Sequence, residues 1–166
     1  MPSSDPTATA FHPPGPGREL VVTDAPTPAD IAVISDALDR FNTEHTGVAD
    51  RRRLAVLVRD PGTGQVVGGL TGRTSLGLFF LDLFHLPPRL RGGGLGAEVL
   101  RQAENEARAR GCRTAVLYTI TFQAPGFYEK QGWRRLGEVP CDPPGSSRVF
   151  MTKELAAPSG EPVRPR

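Results

Sequence analysis

A glycine-rich loop between a predicted strand and a predicted helix is the first place where this sequence could do chemistry. The segment from Leu86 to Gly96 reads LPPRLRGGGLG. The first N–H groups of a helix have no partner within it, and together with the helix dipole they attract anions. Gly92 to Gly94 let the backbone approach a phosphate closely, and Arg91 can add charge-assisted hydrogen bonds. The loop therefore predicts a pyrophosphate site, with a plain flexible turn as the alternative.

Two common nucleotide patterns fit this loop less well. No Gly-Lys-Ser/Thr follows the glycines, which excludes a Walker A loop. The run from Gly92 to Ala97 matches the loose dinucleotide pattern G-x-G-x-x-G/A. That pattern belongs to the first strand of a βαβ unit and needs an acidic residue after the next strand, where Val116 to Tyr118 lie instead. A nicotinamide nucleotide therefore stays a secondary alternative.

Two motifs together resemble the signatures of the GNAT superfamily of N-acyltransferases. Arg91 to Gly96 matches R/Q-x-x-G-x-G/A, and Phe122 to Trp133 (FQAPGFYEKQGW) is similar to A-x-x-F-Y-x-K-x-G-F. The resemblance covers about residues 19–155 and is nearest to a subgroup of small bacterial single-domain proteins. It implies an N-acetyltransferase that moves an acetyl group from acetyl-CoA to a primary amine by direct attack.

The resemblance also implies a role for each matching residue. The pantetheine arm would lie between two splayed central strands, where backbone groups of Phe84 and Leu86 would bond it and stabilise charge on the thioester oxygen. Tyr128 would be the general acid that protonates the departing thiolate, with a structural aromatic beside Phe127 as the alternative. The other implied cofactor-binding residues are Arg91, Gly92, Gly93, Gly94, Leu95, Gly96, Thr121 and Gln123.

Two positions depart from the family pattern. Thr121 stands where many GNAT proteins have an Asn that bonds the pantetheine arm, and a single hydroxyl makes fewer hydrogen bonds. Tyr118 stands where relatives of the subgroup often have an acidic residue. These departures keep open a second function, a non-catalytic CoA-binding or regulatory module on the same scaffold.

The base that deprotonates the amine is predicted from strand position. Asp82 has the same parity as Phe84 and lies among apolar neighbours, where desolvation would raise its pKa. A carboxylate bonded to Arg73 or Thr74 is the structural alternative. His85 has the opposite parity, so we expect it to point away. A water chain or an amine that arrives neutral would make a fixed base unnecessary.

The acceptor site is expected between residues 42–47 and residues 139–146. Glu44, Glu138 and Asp142 could attract a cationic amine there, although each could equally be a surface charge. We expect a small-molecule amine as the partner, and a homodimer is a further candidate assembly.

The remaining patterns predict one α/β (α+β) domain. Its order β-α-β-β-β-α-β-α-β-β gives a mixed, mostly antiparallel sheet of six to seven strands rather than a βαβ repeat. The resemblance adds helices on both faces and the splayed strand pair. Predicted strands lie at 19–23, 54–58, 65–70, 76–86, 114–119, 133–138 and 148–153, and predicted helices at 28–46, 95–110 and 124–131.

Length and composition limit the classes of protein to which this chain could belong. The chain has 166 residues, a length typical of one domain, and a formal net charge of +2, which argues against a nucleic-acid partner. Two cysteines give no disulfide framework, and the three histidines lack metal-ligand spacing, so we expect no metal. No apolar run suits a membrane span, and we expect a cytoplasmic protein. Proline-rich residues 1–18 and 156–166 are predicted disordered tails around a domain at 19–155.

Overall fold

Six strands and three α-helices make up the computed structural model, which describes Gly17 and residues 19–155. A 3₁₀ turn at Pro88–Leu90 precedes the second helix. The predicted tails lie outside the described residues, apart from Gly17. The elements are α1 (Pro28–Thr46), β1 (Arg52–Arg59), β2 (Val66–Ser75), β3 (Leu78–His85), α2 (Leu95–Ala109), β4 (Thr114–Ile120), α3 (Pro125–Lys130), β5 (Arg134–Cys141) and β6 (Ser146–Glu154).

The strands form one mixed sheet in the order β1-β2-β3-β4-β6-β5. Every neighbouring pair is antiparallel except β3 and β4, which run parallel. The predicted mixed, mostly antiparallel α/β architecture is therefore confirmed. Among the described residues, no helix is long and apolar enough to cross a membrane.

The chain divides into two compact units, one ending at Leu38 and the other starting at Asp39. In the first unit, the predicted start of α1 is confirmed: the Thr27 N–H donates to the Asp30 carboxylate at 2.9 Å, and the Asp30 N–H donates to Thr27 Oγ1 at 3.2 Å. The predicted strand at 19–23 is wrong, because these residues adopt no strand. Three consecutive apolar residues without period-2 alternation do not specify a pairing partner.

In the second unit, α2 and α3 pack against one face of the sheet, which we call the helix face. Apolar residues spaced by four predict a buried stripe on α2 at Leu95, Val99, Ala103 and Ala107. The last three are buried in the core, and Leu95 is half-buried at the edge of it. Phe79 and Leu117 meet them from the sheet. Residues between these buried strand positions, such as Phe80 and Tyr118, lie on the opposite face, which we call the second face.

The parallel pair β3/β4 separates after three residues of pairing. The register runs only from Leu78 opposite Thr114 to Phe80 opposite Val116, although both strands continue beyond it. The predicted splay is confirmed, and it leaves a gap between the two central strands. A β-bulge follows in β3, because Thr71 pairs with Leu83 whereas the adjacent Gly72 pairs with Leu81. The extra residue is Asp82.

Candidate active site

A cleft of about 740 Å³ lies where β3 and β4 separate. The end of β3, the glycine loop, the start of α2 and the segment around α3 all contribute to its wall. The following predicted site residues line it: Phe84, Leu86, Arg91, Gly92, Gly94, Gly96, Gln123 and Tyr128. Residues from both sequence motifs are therefore brought together at the gap in the sheet.

The glycine loop owes its shape to two residues in the left-handed region. Gly92 has φ +84° and Gly94 has φ +83°, conformations that other residues adopt only with strain. A Cβ on either glycine would meet nothing within 4 Å, so the backbone angle, and not lack of room, requires glycine here. The first N–H that bonds back along α2 is that of Glu98, to the Gly94 carbonyl at 3.1 Å.

The N–H groups before Glu98 are consequently open for a ligand. Within residues 19–155, Gly92 to Ala97 donate no backbone hydrogen bond, and no side chain caps the helix. A row of unpartnered N–H groups at the positive end of a fifteen-residue helix is a strong anion site. The predicted pyrophosphate cradle has the geometry that such a ligand needs.

Arg91 is held in place beside this cradle. Its Nε donates to the Leu86 carbonyl oxygen at 2.7 Å, which fixes the side chain across the turn. No carboxylate pairs with Arg91 in the described part of the chain. Its two terminal nitrogens keep their donors for a phosphate oxygen.

A row of aromatic rings, from Phe84 through Phe127 to Tyr128, lines part of the cleft. Phe84 and Phe127 pack edge to face with ring centroids 6.0 Å apart, and the Phe127 and Tyr128 centroids are 5.2 Å apart. Tyr128 also packs on Trp133 at 5.9 Å. Gly96 lies close to this row, since a Cβ on it would contact the Phe127 ring at 3.4 Å. The start of α2 and the aromatic row are thus packed together.

Tyr128 is buried, and burial raises its pKa to about 12. Its hydroxyl is therefore protonated throughout the neutral range and keeps a proton to donate. An ordinary phenol titrates near pH 10 and a thiol near 8.5. The raised pKa widens the gap to a thiol, so Tyr128 suits hydrogen-bond donation to a developing thiolate better than early, complete proton transfer.

Comparison with known proteins decides the family. The Acetyltransferase (GNAT) family profile matches residues 23–133. An acetyltransferase of Agrobacterium fabrum is 33% identical over 122 residues, which is 74% of this chain and 88% of that protein. The chain belongs to the GNAT acetyltransferase family.

Two further proteins are similar to this GNAT chain. The blasticidin-S acetyltransferase of Streptomyces morookaense is 38% identical over 93 residues, covering 55% of this chain and 68% of that protein. A crystal structure of an Agrobacterium tumefaciens protein described as an acetyltransferase is 31% identical. It superposes with a TM-score of 0.74 and covers 82% of this chain and 99% of that one. The GNAT family of acetyltransferases uses acetyl-CoA.

Gln123, and not Thr121, reaches the GNAT cleft. The Gln123 side-chain oxygen accepts hydrogen bonds from the Ile120 N–H at 3.1 Å and from Thr119 Oγ1 at 3.2 Å. Thr121 instead pairs with Ser147: its N–H donates to the Ser147 carbonyl at 3.0 Å, and its hydroxyl accepts from the Ser147 N–H at 3.2 Å. Thr121 therefore extends the β4/β6 pairing and does not line the cleft.

Several lining residues were not predicted from the sequence. They are His85, Ala97, Thr119, Phe122, Ala124, Phe127 and Gln131. Phe122, Ala124, Phe127 and Gln131 fall inside the second motif, so reading that motif as a continuous wall would have found them. Gly93 and Leu95 belong to the loop and to the start of α2 but do not line the cleft.

Asp82 lies in a different environment from the predicted one. The bulge breaks the alternation, so Phe84 pairs with Leu70 of the core while Asp82 forms an ion pair with Arg73. The Asp82 side chain is 44% exposed, and the prediction of a desolvated carboxylate is wrong. Arg73, the predicted structural alternative, is its partner. His85 contributes to the cleft wall, whereas its parity had predicted that it lies away from the site.

The three acidic residues predicted near the acceptor have unequal surroundings. Glu138 accepts a hydrogen bond from Arg135 at 2.5 Å, so its charge is already paired. Glu44 is exposed in the last turn of α1, and Asp142 precedes a proline in the β5/β6 connection. Their roles toward an amine stay predictions.

Proposed function

We propose that this protein transfers the acetyl group of acetyl-CoA to the nitrogen of a small-molecule primary amine. One observation carries the proposal. A helix start with unpartnered N–H groups opens into the gap between two splayed strands, and a buried, protonated tyrosine lies in the same cleft. That combination suits a ligand with a phosphate at one end and a leaving sulfur at the other.

The residues of the cleft fit acetyl-CoA along its length. The N–H groups from Gly92 to Ala97 and the free donors of Arg91 would hold the pyrophosphate. Backbone groups at the end of β3, around Phe84 and Leu86, would bond the pantetheine amides, although the Leu86 carbonyl already accepts one hydrogen bond from Arg91 Nε. Gln123 can add its amide nitrogen, which has no hydrogen-bond partner in the described part of the chain.

The chemistry is a direct displacement. The amine nitrogen forms a bond to the thioester carbonyl carbon, the carbon–sulfur bond breaks, and the nitrogen loses one proton. Backbone N–H groups at the gap would stabilise the charge that develops on the carbonyl oxygen. Tyr128 would donate to the departing sulfur, and Asp82, a water molecule or a neutral amine would account for the proton on nitrogen.

The acceptor is proposed to be a small molecule on two grounds. The blasticidin-S acetyltransferase is a relative whose name gives a small-molecule acceptor. The gap opens only beyond Phe80 and Val116, because β3 and β4 are paired up to these residues. A primary amine on a small scaffold can enter such a gap without rearranging the sheet.

The first experiment measures binding of acetyl-CoA and CoA by thermal shift and calorimetry. At one hundred times its Kd, a ligand adds about 2.7 kcal/mol, which is a few degrees for a domain of this size. Gly94→Val places a β-branched residue at φ +83° and is expected to weaken binding about tenfold or more. Gly137→Val is the matched control, because Gly137 lies outside the cleft, has no positive φ, and its Cβ would meet nothing within 4 Å. Absence of binding to the wild-type protein would overturn the proposal.

The second experiment tests catalysis by thiol release with a panel of amines. Tyr128→Phe is expected to lower kcat by about 10²–10⁴ while leaving CoA affinity unchanged, because only the donor is removed. Wild-type turnover in this variant would remove Tyr128 from the mechanism. CoA binding without turnover of any amine would favour the non-catalytic CoA-binding module. The pH profile of kcat is compared between the wild-type protein and Asp82→Asn to test whether Asp82 accepts the proton from the amine.

A further inference from the structure

The two sides of the gap each carry an arginine stacked on an aromatic ring of the second face. Arg73 Cζ lies 4.6 Å from the centroid of Phe80, on the β2/β3 side. Arg148 Cζ lies 5.0 Å from the centroid of Tyr118, on the β4/β6 side. Stacking of this kind leaves the edge of a guanidinium, with its N–H donors, available for a carboxylate.

The two arginine–aromatic pairs differ in whether the arginine has an acidic partner. Arg73 forms an ion pair with Asp82, so its charge is neutralised locally. Arg148 has no acidic partner among Gly17 and residues 19–155. The nearest acidic residue by strand register, Glu138, pairs with Val149 and not with Arg148, and it already binds Arg135. The β4/β6 side therefore presents an uncompensated positive charge.

This charge lies beside an exposed aromatic surface at the gap. Tyr118 is the second residue after Val116, the last β4 residue paired with β3, and its neighbour Thr119 lines the cleft. The Tyr118 side chain is 54% exposed, and Phe150 next to it is 40% exposed. Their ring centroids are 5.8 Å apart. A flat molecule can lie on these two rings and reach the gap from the second face.

We infer that the second face of the gap binds a primary amine that carries both an aromatic ring and a carboxylate. The ring of the acceptor packs on Tyr118 and Phe150, its carboxylate takes the free edge of Arg148 in a bidentate ion pair, and its amine points into the gap. Arg148 is thus a residue that determines acceptor specificity. The inference rests on the proposed function and names the substrate class of that same site.

The test compares two amines that differ only by the carboxylate, phenylalanine and phenethylamine. Wild-type protein with saturating acetyl-CoA is expected to acetylate phenylalanine with the higher kcat/KM, by about ten- to a hundredfold. Arg148→Gln is expected to abolish that preference by raising KM for phenylalanine alone. Arg134→Gln is the matched control, because Arg134 lies on the same face opposite Thr152, away from the gap. It should keep the preference.

Binding measurements separate failure of this inference from failure of the proposed function. Acetyl-CoA should stabilise wild-type protein and Arg148→Gln equally, because Arg148 lies outside the cleft. Saturation-transfer NMR of both amines on the protein with CoA gives a readout without turnover. The inference would be overturned if the two amines had equal kcat/KM values, or if neither amine bound while acetyl-CoA did. Loss of acetyl-CoA binding in the wild-type protein would overturn the function as well.

Discussion

The two faces of the sheet at the gap are built on different principles. On the helix face, the cleft consists of backbone N–H groups, buried rings and side chains that are held by hydrogen bonds, such as Arg91 and Gln123. On the second face, the polar and aromatic groups at the gap are exposed side chains such as Asp82, Tyr118 and Arg148. A ligand on the helix face depends on a shape that many residues fix together. A ligand on the second face depends on a few exchangeable side chains, so that face can change specificity without disturbing the fold.

The sharpest difference between the faces is in buried charge. Behind the aromatic row, Glu104 is 3% exposed and accepts hydrogen bonds from Trp133 Nε1 at 3.1 Å and Lys153 Nζ at 2.7 Å. Lys153 also donates to the Gln131 carbonyl at 2.7 Å. This cluster ties α2 to β6 and to the segment that follows α3. Every buried side-chain polar atom in the described part of the chain has a partner.

The largest predicted effect follows from this cluster. Glu104→Leu removes the carboxylate that pairs with Lys153 and Arg108 and accepts from the Trp133 N–H, leaving Lys153 only the Gln131 carbonyl. It is expected to lower the free energy of unfolding by about 3–5 kcal/mol. Glu104→Leu combined with Lys153→Met should recover part of the loss, because the unpaired charge is removed. Urea unfolding measures both variants. A loss below about 1 kcal/mol for the single variant would contradict this account of the helix face.

The second prediction concerns Tyr128 and alkaline pH. Burial raises the pKa of Tyr128 to about 12, whereas an unfolded phenol titrates near 10. Below pH 10 the group is protonated in both states. Between about pH 10 and 12 the unfolded state releases the proton first, so folding stability falls by about 2–3 kcal/mol over that window. Unfolding of wild-type protein and Tyr128→Phe across this range should show a smaller decline for the variant.

Tyr118→Phe is the control for that prediction, because Tyr118 is the other tyrosine of the chain and lies on the second face. It is expected to keep the alkaline decline of the wild-type protein. If Tyr118→Phe, and not Tyr128→Phe, removed the decline, the assignment of the buried acid to the helix face would be wrong.

The parts of the fold that depend on local pattern were predictable from the sequence. The stripe of α2, the glycine loop and the motif through α3 are each encoded within short segments. Their spacing reports burial and backbone angle directly. Arg91, which the loop itself predicts, and Tyr128, which the family resemblance implies, both line the cleft.

The parts that depend on pairing between distant strands were not predictable in the same way. A single extra residue, Asp82, shifts the parity of β3, and only the register with β2 reveals the bulge. The position and hydrogen bonds of Thr121 depend likewise on Ser147 of β6, which is 26 residues away in the sequence. Both residues have surroundings that are set by a neighbouring strand and not by their own sequence context.

The smallest predicted effect tests whether charge on the second face contributes to the fold. The Arg73 and Asp82 side chains are 39% and 44% exposed, so water screens their attraction. A double-mutant cycle with Arg73→Gln and Asp82→Asn should give a coupling energy below about 1 kcal/mol. In 1 M salt, where the screening length is about 3 Å, the coupling should shrink further. A coupling energy comparable with that of Glu104 and Lys153 would show that both faces rely on charge for stability. Substitutions on the second face that change acceptor specificity would then also destabilise the fold.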